Sequence, residues 1–195
     1  FGLDELVATF ELERVQKSGA RFDPEKTKWF NQQYLQMSTA AKILPEFKKD
    51  TLAAFGVAAV EDKSDRVLET IIDLVKERAA FTHELIELSA YFFVDPTSYD
   101  QKALKKQWKE NTPQIVAALT EIIKGQTDFS SAALELTIKN YIAEQSLSFG
   151  AVMPPLRLAL VGALSGPHVF DIMEVLGKDR CIERILALEN AANDL

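Results

Sequence analysis

The sequence predicts an all-α protein built from two small helical bundles. Along most of the 195 residues, apolar side chains recur every three or four positions, which is the spacing of one helix face. No segment alternates apolar and polar residues over the length of a strand. Prolines, glycines and capping residues divide the helical pattern into short units, so we expect short helices joined by short loops.

In the first half, helices are predicted over residues 2–10, 24–37, 38–60 with interruptions at Pro45 and Gly56, 65–80 and 82–93. Gly19 breaks the pattern between the first two. Asp23 followed by Pro24 predicts a helix start, because aspartate caps free N–H groups and proline is favoured in the first turn. Tyr91, Phe92 and Phe93 end the last of these helices. Such a cluster is typical of a core, although aromatic rings can also stack on nucleic-acid bases.

In the second half, helices are predicted over residues 100–110, 113–124, 128–146 or 130–146, 156–161, 169–176 and 179–192. Pro154 and Pro155 are interpreted as the end of a turn that precedes residues 156–161, since proline lacks the N–H group that a helix interior needs. Gly177 is predicted to end the helix before it. The two bundles are expected to meet near residues 111–130.

Composition excludes several classes of protein. A formal net charge of −7 argues against non-specific coating of nucleic acid, but not against binding one folded RNA through a local patch. The single cysteine, Cys181, leaves no internal disulfide, and two histidines do not supply a usual zinc site, so no metal is expected. No apolar run is long enough to cross a membrane. We expect a monomer in the reducing cytoplasm. We also expect this sequence to be a piece cut from a longer chain, because Phe1 stands where methionine is usual.

The sequence carries no recognisable catalytic motif. Its eight glycines form neither a Walker nor a Rossmann phosphate loop. No serine or cysteine has a histidine within a readable nucleophile motif, and Cys181 fits better as a small buried hydrophobic residue. We therefore expect no catalytic residues and no cofactor in this polypeptide alone.

Residues 150–184 form the most distinctive stretch, with four of the eight glycines and three of the seven prolines. Glycine and proline shape loops, and shaped loops commonly carry recognition. Within it, Arg157 is expected near a helix start, where the helix dipole disfavours a cation, so an anionic or base-edge partner is predicted. Alternatively, Arg157 extends to water or pairs with an acidic neighbour.

Two basic stretches allow two interpretations each. One consists of Arg14, Lys17, Arg21, Lys26 and Lys28, and the other of Lys102, Lys105, Lys106 and Lys109 on one predicted helix face. Either stretch could contact phosphates or form an ordinary solvated surface.

Two motifs resemble the C-terminal end of bacterial glutamyl-tRNA synthetases. Residues 155–162 read PLRLALVG, followed by SGP at 165–167 and FDIMEVLGKDR at 170–180. Near the other end, residues 10–26 read FELERVQKSGARFDPEK, similar to the segment that follows the family's catalytic core. The resemblance implies the end of a stem-contacting region at 1–22 and two helical anticodon-binding subdomains at 23–115 and 116–195.

The resemblance implies recognition of a tRNA anticodon loop. Arg157 would contact a base edge or phosphate, and Gly166, Pro167 and Val169 would form the loop against which a base packs. Arg78, with Lys76 beside it, would offer a second cationic site. The parent enzyme would use ATP and Mg²⁺ to attach glutamate to glutamate tRNA alone or also to glutamine tRNA, through a catalytic domain of the same chain. A helical protein–protein interaction module without RNA binding is the alternative.

Overall fold

Within residues 2–14 and 22–193, which a computed structural model describes, every regular element is helical, which confirms the all-α prediction. The α-helices are α1 (Leu3–Thr9), α2 (Pro24–Met37), α3 (Ala40–Phe55), α4 (Val57–Glu61), α5 (Asp65–Val75), α6 (Glu84–Ser89), α7 (Gln101–Gln107), α8 (Thr112–Gly125), α9 (Ser131–Glu144), α10 (Phe149–Val161), α11 (Val169–Leu176) and α12 (Lys178–Asn193). Short 3₁₀ turns cover Leu12–Arg14, Lys76–Arg78 and Ala90–Phe92.

Capping residues set several helix ends as predicted. The Asp23 carboxylate accepts hydrogen bonds from the first backbone N–H groups of α2 at 3.1 and 3.2 Å. The Ser130 hydroxyl caps α9 in the same way, so this helix begins after Ser130 and not at Asp128. Gly177 ends α11 with φ of +80°, a conformation that glycine adopts without the steric cost of a side chain.

Three prolines are placed differently from the prediction. Pro45 lies inside α3, and Pro154 and Pro155 lie inside α10, so the turn predicted before residue 156 is wrong. Proline in a helix interior costs hydrogen bonds, but tertiary packing can override this preference. Here Pro155 is itself buried, and α10 packs against α7, α8, α11 and α12. Burial of α10 among these four helices accounts for the continuous helix.

The helices pack in two groups that share a core. In the first group α3 contacts α4, α5 and α6, and in the second α8, α10 and α12 contact one another. Helix α11 joins the groups, because it contacts α10 and α12 of the second group as well as α5 and the Ala90–Phe92 turn beside the first. The predicted subdomain boundary between residues 115 and 116 lies inside α8 and stays a prediction. Gly19, Lys17 and Arg21, in the predicted N-terminal region, lie outside the described residues.

Core and surface agree with several sequence interpretations. Phe92 and Phe93 are buried, so most of the aromatic cluster belongs to the core. Cys181 is a fully buried free thiol, and burial raises its pKa to about 12, despite the nearby Arg184 charge. In the described part of the chain, no helix combines the length and the apolar character that crossing a bilayer requires.

Candidate nucleic-acid interface

The loop between α10 and α11, residues 162–168, is the centre of the candidate interface. Helix α10 ends at Gly162, whose φ of +82° turns the chain into this loop. A Cβ atom at this position would lie 2.9 Å from the carbonyl oxygen of Ser98, closer than real Cβ contacts. The Gly162 carbonyl also accepts a hydrogen bond from the Asp100 N–H at 2.9 Å. Glycine therefore lets the loop lie against residues 96–100.

Two arginines from distant parts of the chain hold this loop. Arg157 Nη1 donates a hydrogen bond to the Pro167 carbonyl at 2.7 Å. Arg78 Nη2 donates to the Gly166 carbonyl at 3.0 Å, across 88 positions of sequence. Gly166 has φ of +143°, and a Cβ atom there would lie 3.2 Å from Arg157 Nη1. Four of the six residues predicted for the site are thus brought together.

The position and contacts of Arg157 differ from those predicted from the sequence. It lies in the second half of α10 and not near its start, because the helix begins at Phe149, so the helix-dipole argument is wrong. Among the described residues Arg157 has no carboxylate partner, and its hydrogen bond goes to a backbone carbonyl. Half-burial lowers the pKa of the Arg157 guanidinium. The nearby Arg78 charge lowers this pKa further, whereas Tyr91 raises it.

The other two predicted residues lie elsewhere. Val169 begins α11 and is buried at 1% exposure, so it supports the loop from the core side. Lys76 bonds through Nζ to the Ser38 carbonyl at 3.1 Å and to the Asp73 carboxylate at 2.7 Å. These bonds tie Lys76 to the α2–α3 junction and leave Arg78 as the cation of its turn that contacts the loop.

An open cleft of about 480 Å³ adjoins the loop. One wall carries Arg78, Leu88 and Tyr91, and the others come from residues 94–98 and 161–167. Sequence analysis did not identify residues 94–98, because Asp95 followed by Pro96 indicated only a turn. The cleft is large enough for a flat group of the size of a nucleobase between walls that are both apolar and hydrogen-bonding.

Tyr91 places a hydroxyl at the base of the loop. This hydroxyl is buried, and it has no hydrogen-bond partner among the described residues. Burial raises its pKa to about 12, while Arg78 and Arg157 act in the opposite direction. It is therefore a neutral hydroxyl, able to donate and accept, 3.9 Å from where a Gly166 Cβ atom would lie.

Arg184 fixes the wall behind Tyr91. Its side chain is only 2% exposed, and its Nε donates to Asp95 Oδ1 at 2.7 Å. Its Nη groups donate to the carbonyls of Leu160 at 2.5 Å, Tyr91 at 2.7 Å and Val94 at 3.2 Å. One guanidinium thus joins the helix that carries Arg157 to the segment that carries Tyr91, through contacts that no local sequence pattern indicates.

The other basic stretches show no comparable construction in the described ranges. Lys102, Lys105, Lys106 and Lys109 are exposed, and α7 ends before Lys109. Arg14 pairs with Glu11 at 2.6 Å. Whether either stretch contacts phosphates stays a prediction.

Comparison with known proteins assigns the fold. The sequence model of the anticodon binding domain matches residues 25–188, which is most of the chain. This chain belongs to the anticodon-binding domain family. It is 46% identical over 185 residues to the glutamate–tRNA ligase of Flavobacterium psychrophilum and 44% identical over 183 residues to that of Porphyromonas gingivalis.

Solved structures agree. A glutamate tRNA ligase from Elizabethkingia meningosepticum, in complex with its amino acid, superposes with a TM-score of 0.88 at 44% identity over 96% of this chain. The glutamate–tRNA synthetase of Elizabethkingia anophelis gives 0.83 at 43% identity over 98% of it. The chain spans 36% of the length of each of these structures. It corresponds to an anticodon-binding part of such proteins, and the similarity confirms the family resemblance seen in its sequence.

Proposed function

We propose that this chain recognises the anticodon loop of a tRNA as part of a glutamate–tRNA ligase. The match of residues 25–188 to the anticodon binding domain carries this proposal. The loop held by Arg78 and Arg157 beside an open cleft supports it. Sequence-specific proteins usually read RNA at unstacked loop bases, which a few placed groups can bind without a large positive field. This suits a chain with net charge −7.

Arg157 and Arg78 are proposed as the principal reading groups. Each guanidinium carries five N–H donors in a planar fork, and each spends few of them on the loop. The remaining donors suit a base edge or a phosphate, and a bidentate base contact contributes about 1–3 kcal/mol of discrimination. Gly166 and Pro167 supply a surface without a bulky side chain, and buried Val169 supports it. Lys76 is the least supported of the proposed tRNA-binding residues, because its ammonium is bound to the Ser38 carbonyl and the Asp73 carboxylate.

The parent enzyme is proposed to attach glutamate to its tRNA with ATP and Mg²⁺, in a catalytic region outside this chain. The relatives named as glutamate–tRNA ligases are about three times as long as the segment matched here. This chain alone is proposed to have no ligase activity. Glutamine tRNA as a second partner, a monomeric state and a cytoplasmic location belong to the same proposal.

Exposed apolar side chains at the N-terminal end suit contact with another part of the parent enzyme. They are Leu3, Leu6, Val7, Phe10, Leu12, Phe22, Trp29, Phe30, Tyr34 and Met37. Helix α1 has no buried residue, and α2 buries only Leu35. Isolated soluble domains seldom expose so many large apolar groups in neighbouring segments. We therefore propose that this surface packs against the catalytic region and the rest of the stem-contacting region of the parent enzyme, not against an unrelated protein.

A binding titration tests the proposal. The chain is titrated with glutamate tRNA, the same tRNA with a changed anticodon, and an unrelated tRNA, at two salt concentrations. Tighter, salt-dependent binding of glutamate tRNA supports anticodon recognition. Absence of tRNA binding, together with salt-insensitive binding of a protein, would favour the helical interaction module instead.

A further inference from the structure

Positive charge is concentrated just outside the cleft, around Asp95. Arg180 and Arg184 both donate through Nε to Asp95 Oδ1, at 2.8 and 2.7 Å. Arg180 Nη2 also donates to the Phe93 carbonyl at 3.2 Å. Lys63 Nζ lies 5.7 Å from the centre of the Phe93 ring. Two cations therefore pair with one carboxylate, and a third, Lys63, lies over the ring of the phenylalanine whose carbonyl accepts a hydrogen bond from Arg180.

These charges are incompletely balanced. Burial lowers the pKa of Lys63, Arg180 and Arg184 lower it further, and only Asp62 opposes them. Neighbouring like charges destabilise each other's charged forms, so this arrangement has an energetic cost in the chain alone. The cost is notable because the whole chain is acidic, with 29 acidic and 22 basic residues. A bound anion would remove it.

The three cations have different roles. Arg184 is 2% exposed, and each of its nitrogens already donates to Asp95 or a carbonyl. Arg180 is 31% exposed. Lys63 is half-buried, and its ammonium makes neither a hydrogen bond nor an ion pair with the described residues. Lys63 and Arg180 are thus the pair that an anion can reach from solvent.

We propose that Lys63 and Arg180 bind a backbone phosphate of the RNA whose loop bases occupy the neighbouring cleft. This inference rests on the proposed tRNA function and adds a contact outside the loop motif. Asp95 connects the two regions, since this residue lines the cleft and its carboxylate accepts the Arg180 hydrogen bond. Phosphate contacts position a protein on nucleic acid, while base contacts specify sequence. The pair therefore sets affinity and register, and leaves the choice of anticodon to the loop.

Lys63→Gln tests the contact, because the Lys63 ammonium has no hydrogen bond or ion pair to the described residues that the change would break, and its position over the Phe93 ring is its other recorded interaction. Lys63→Arg retains the charge. Lys139→Gln is the matched control, since Lys139 lies on α9 and, within residues 2–14 and 22–193, pairs with Glu135 alone. Affinity for glutamate tRNA and for its anticodon-changed form is measured across a salt series, with thermal unfolding to confirm the fold of each variant.

Loss of one phosphate contact to a single strand makes the slope of log K against log salt shallower by about 0.7. We expect this change for Lys63→Gln with both tRNAs. The ratio of the wild-type affinity for tRNA to that of Lys63→Gln should then fall about 2.6-fold between about 50 and 200 mM salt. Lys63→Arg should restore the slope, the control should match wild type, and the ratio of affinities for the two tRNAs should stay constant.

Three results would overturn the inference in different ways. If wild type prefers glutamate tRNA but Lys63→Gln keeps the full salt slope, the phosphate contact is wrong and the proposed function stands. If wild type binds neither tRNA, the proposed function fails and this contact fails with it. A change in anticodon preference without a change in slope would also refute a phosphate contact.

Discussion

Replacing Arg184 with methionine should be among the most damaging single changes in this chain. The side chain is 2% exposed and holds the Asp95 carboxylate and the carbonyls of Leu160, Tyr91 and Val94. Methionine fills part of the volume and replaces none of these hydrogen bonds. Each buried carbonyl left without a donor costs about 1–3 kcal/mol.

The Asp95 carboxylate moderates that cost. It is 57% exposed and keeps its bond to Arg180, so it does not become an isolated buried charge. With up to three carbonyls losing a donor, and water able to reach some of them, the expected loss is about 3–5 kcal/mol of the free energy of unfolding. That is a large part of the stability of a typical domain.

Urea unfolding followed by helical circular dichroism measures the difference. Arg180→Met is the matched control, because it removes a guanidinium from the same carboxylate at a site 31% exposed, where an ion pair contributes about 0–1 kcal/mol. The m-value should be similar for all three proteins if both variants unfold from the native fold. If Arg184→Met is no more damaging than Arg180→Met, Arg184 does not hold the two groups of helices together.

Three further changes, with Gly125→Ala as a control, test single contacts. Gly162→Ala should cost about 1–3 kcal/mol of unfolding free energy, since its Cβ atom would lie 2.9 Å from a backbone oxygen at φ of +82°. Gly125→Ala, which meets open space at the end of α8, should be neutral or gain about 0.5–1 kcal/mol in the same denaturation assay. Gly166→Ala should displace Arg157 Nη1, 3.2 Å from the new Cβ, and weaken tRNA binding in a titration. Asp95→Asn tests pH dependence. Burial would raise the pKa of this carboxyl, but the two arginines lower it overall. Wild type should therefore be more stable at neutral pH, and in acid unfolding its advantage should decline below about pH 4 and be lost as the pH falls through the lowered pKa of the folded state.

Opposite outcomes are equally clear for these changes. Equal effects of alanine at Gly162 and Gly125 would mean that the loop does not need its close approach to residues 96–100. Unchanged tRNA affinity in Gly166→Ala would remove Arg157 from the recognition surface. A stability difference between wild type and Asp95→Asn that persists unchanged to pH 2 would contradict a lowered pKa at this carboxyl, since protonation of the unfolded Asp95 below about pH 4 should already have reduced it.

Local signals predicted most helices, because their causes lie within a few residues. Asp23 and Ser130 cap with their own side chains, and Gly177 has the backbone freedom that a helix end uses. Pro154 and Pro155 misled the same reasoning. Their preference against a helix interior is local, whereas the packing of α10 against four other helices is not.

In the candidate site, too, some residues were predicted from the sequence and others were not. Motif resemblance identified Arg157 and the 165–167 loop together with Arg78, and the structure brings all of these into contact. Tyr91, Asp95 and Arg184 were not predicted as site residues. The contacts that join them span about 90 positions, and neither helical spacing nor capping indicates such pairs.

The central claim is that Arg157 reads an anticodon base beside its loop. The most direct test compares wild type with Arg157→Ala in binding glutamate tRNA and an anticodon-changed form at one salt concentration. Arg66→Ala serves as the control, because Arg66 is exposed on α5 and its loss changes the net charge equally. We predict that Arg157→Ala loses about 1–3 kcal/mol of the preference for the native anticodon, and that Arg66→Ala keeps it. Equal weakening of both tRNAs by the two variants would contradict the claim, because Arg157 would then contribute only its charge.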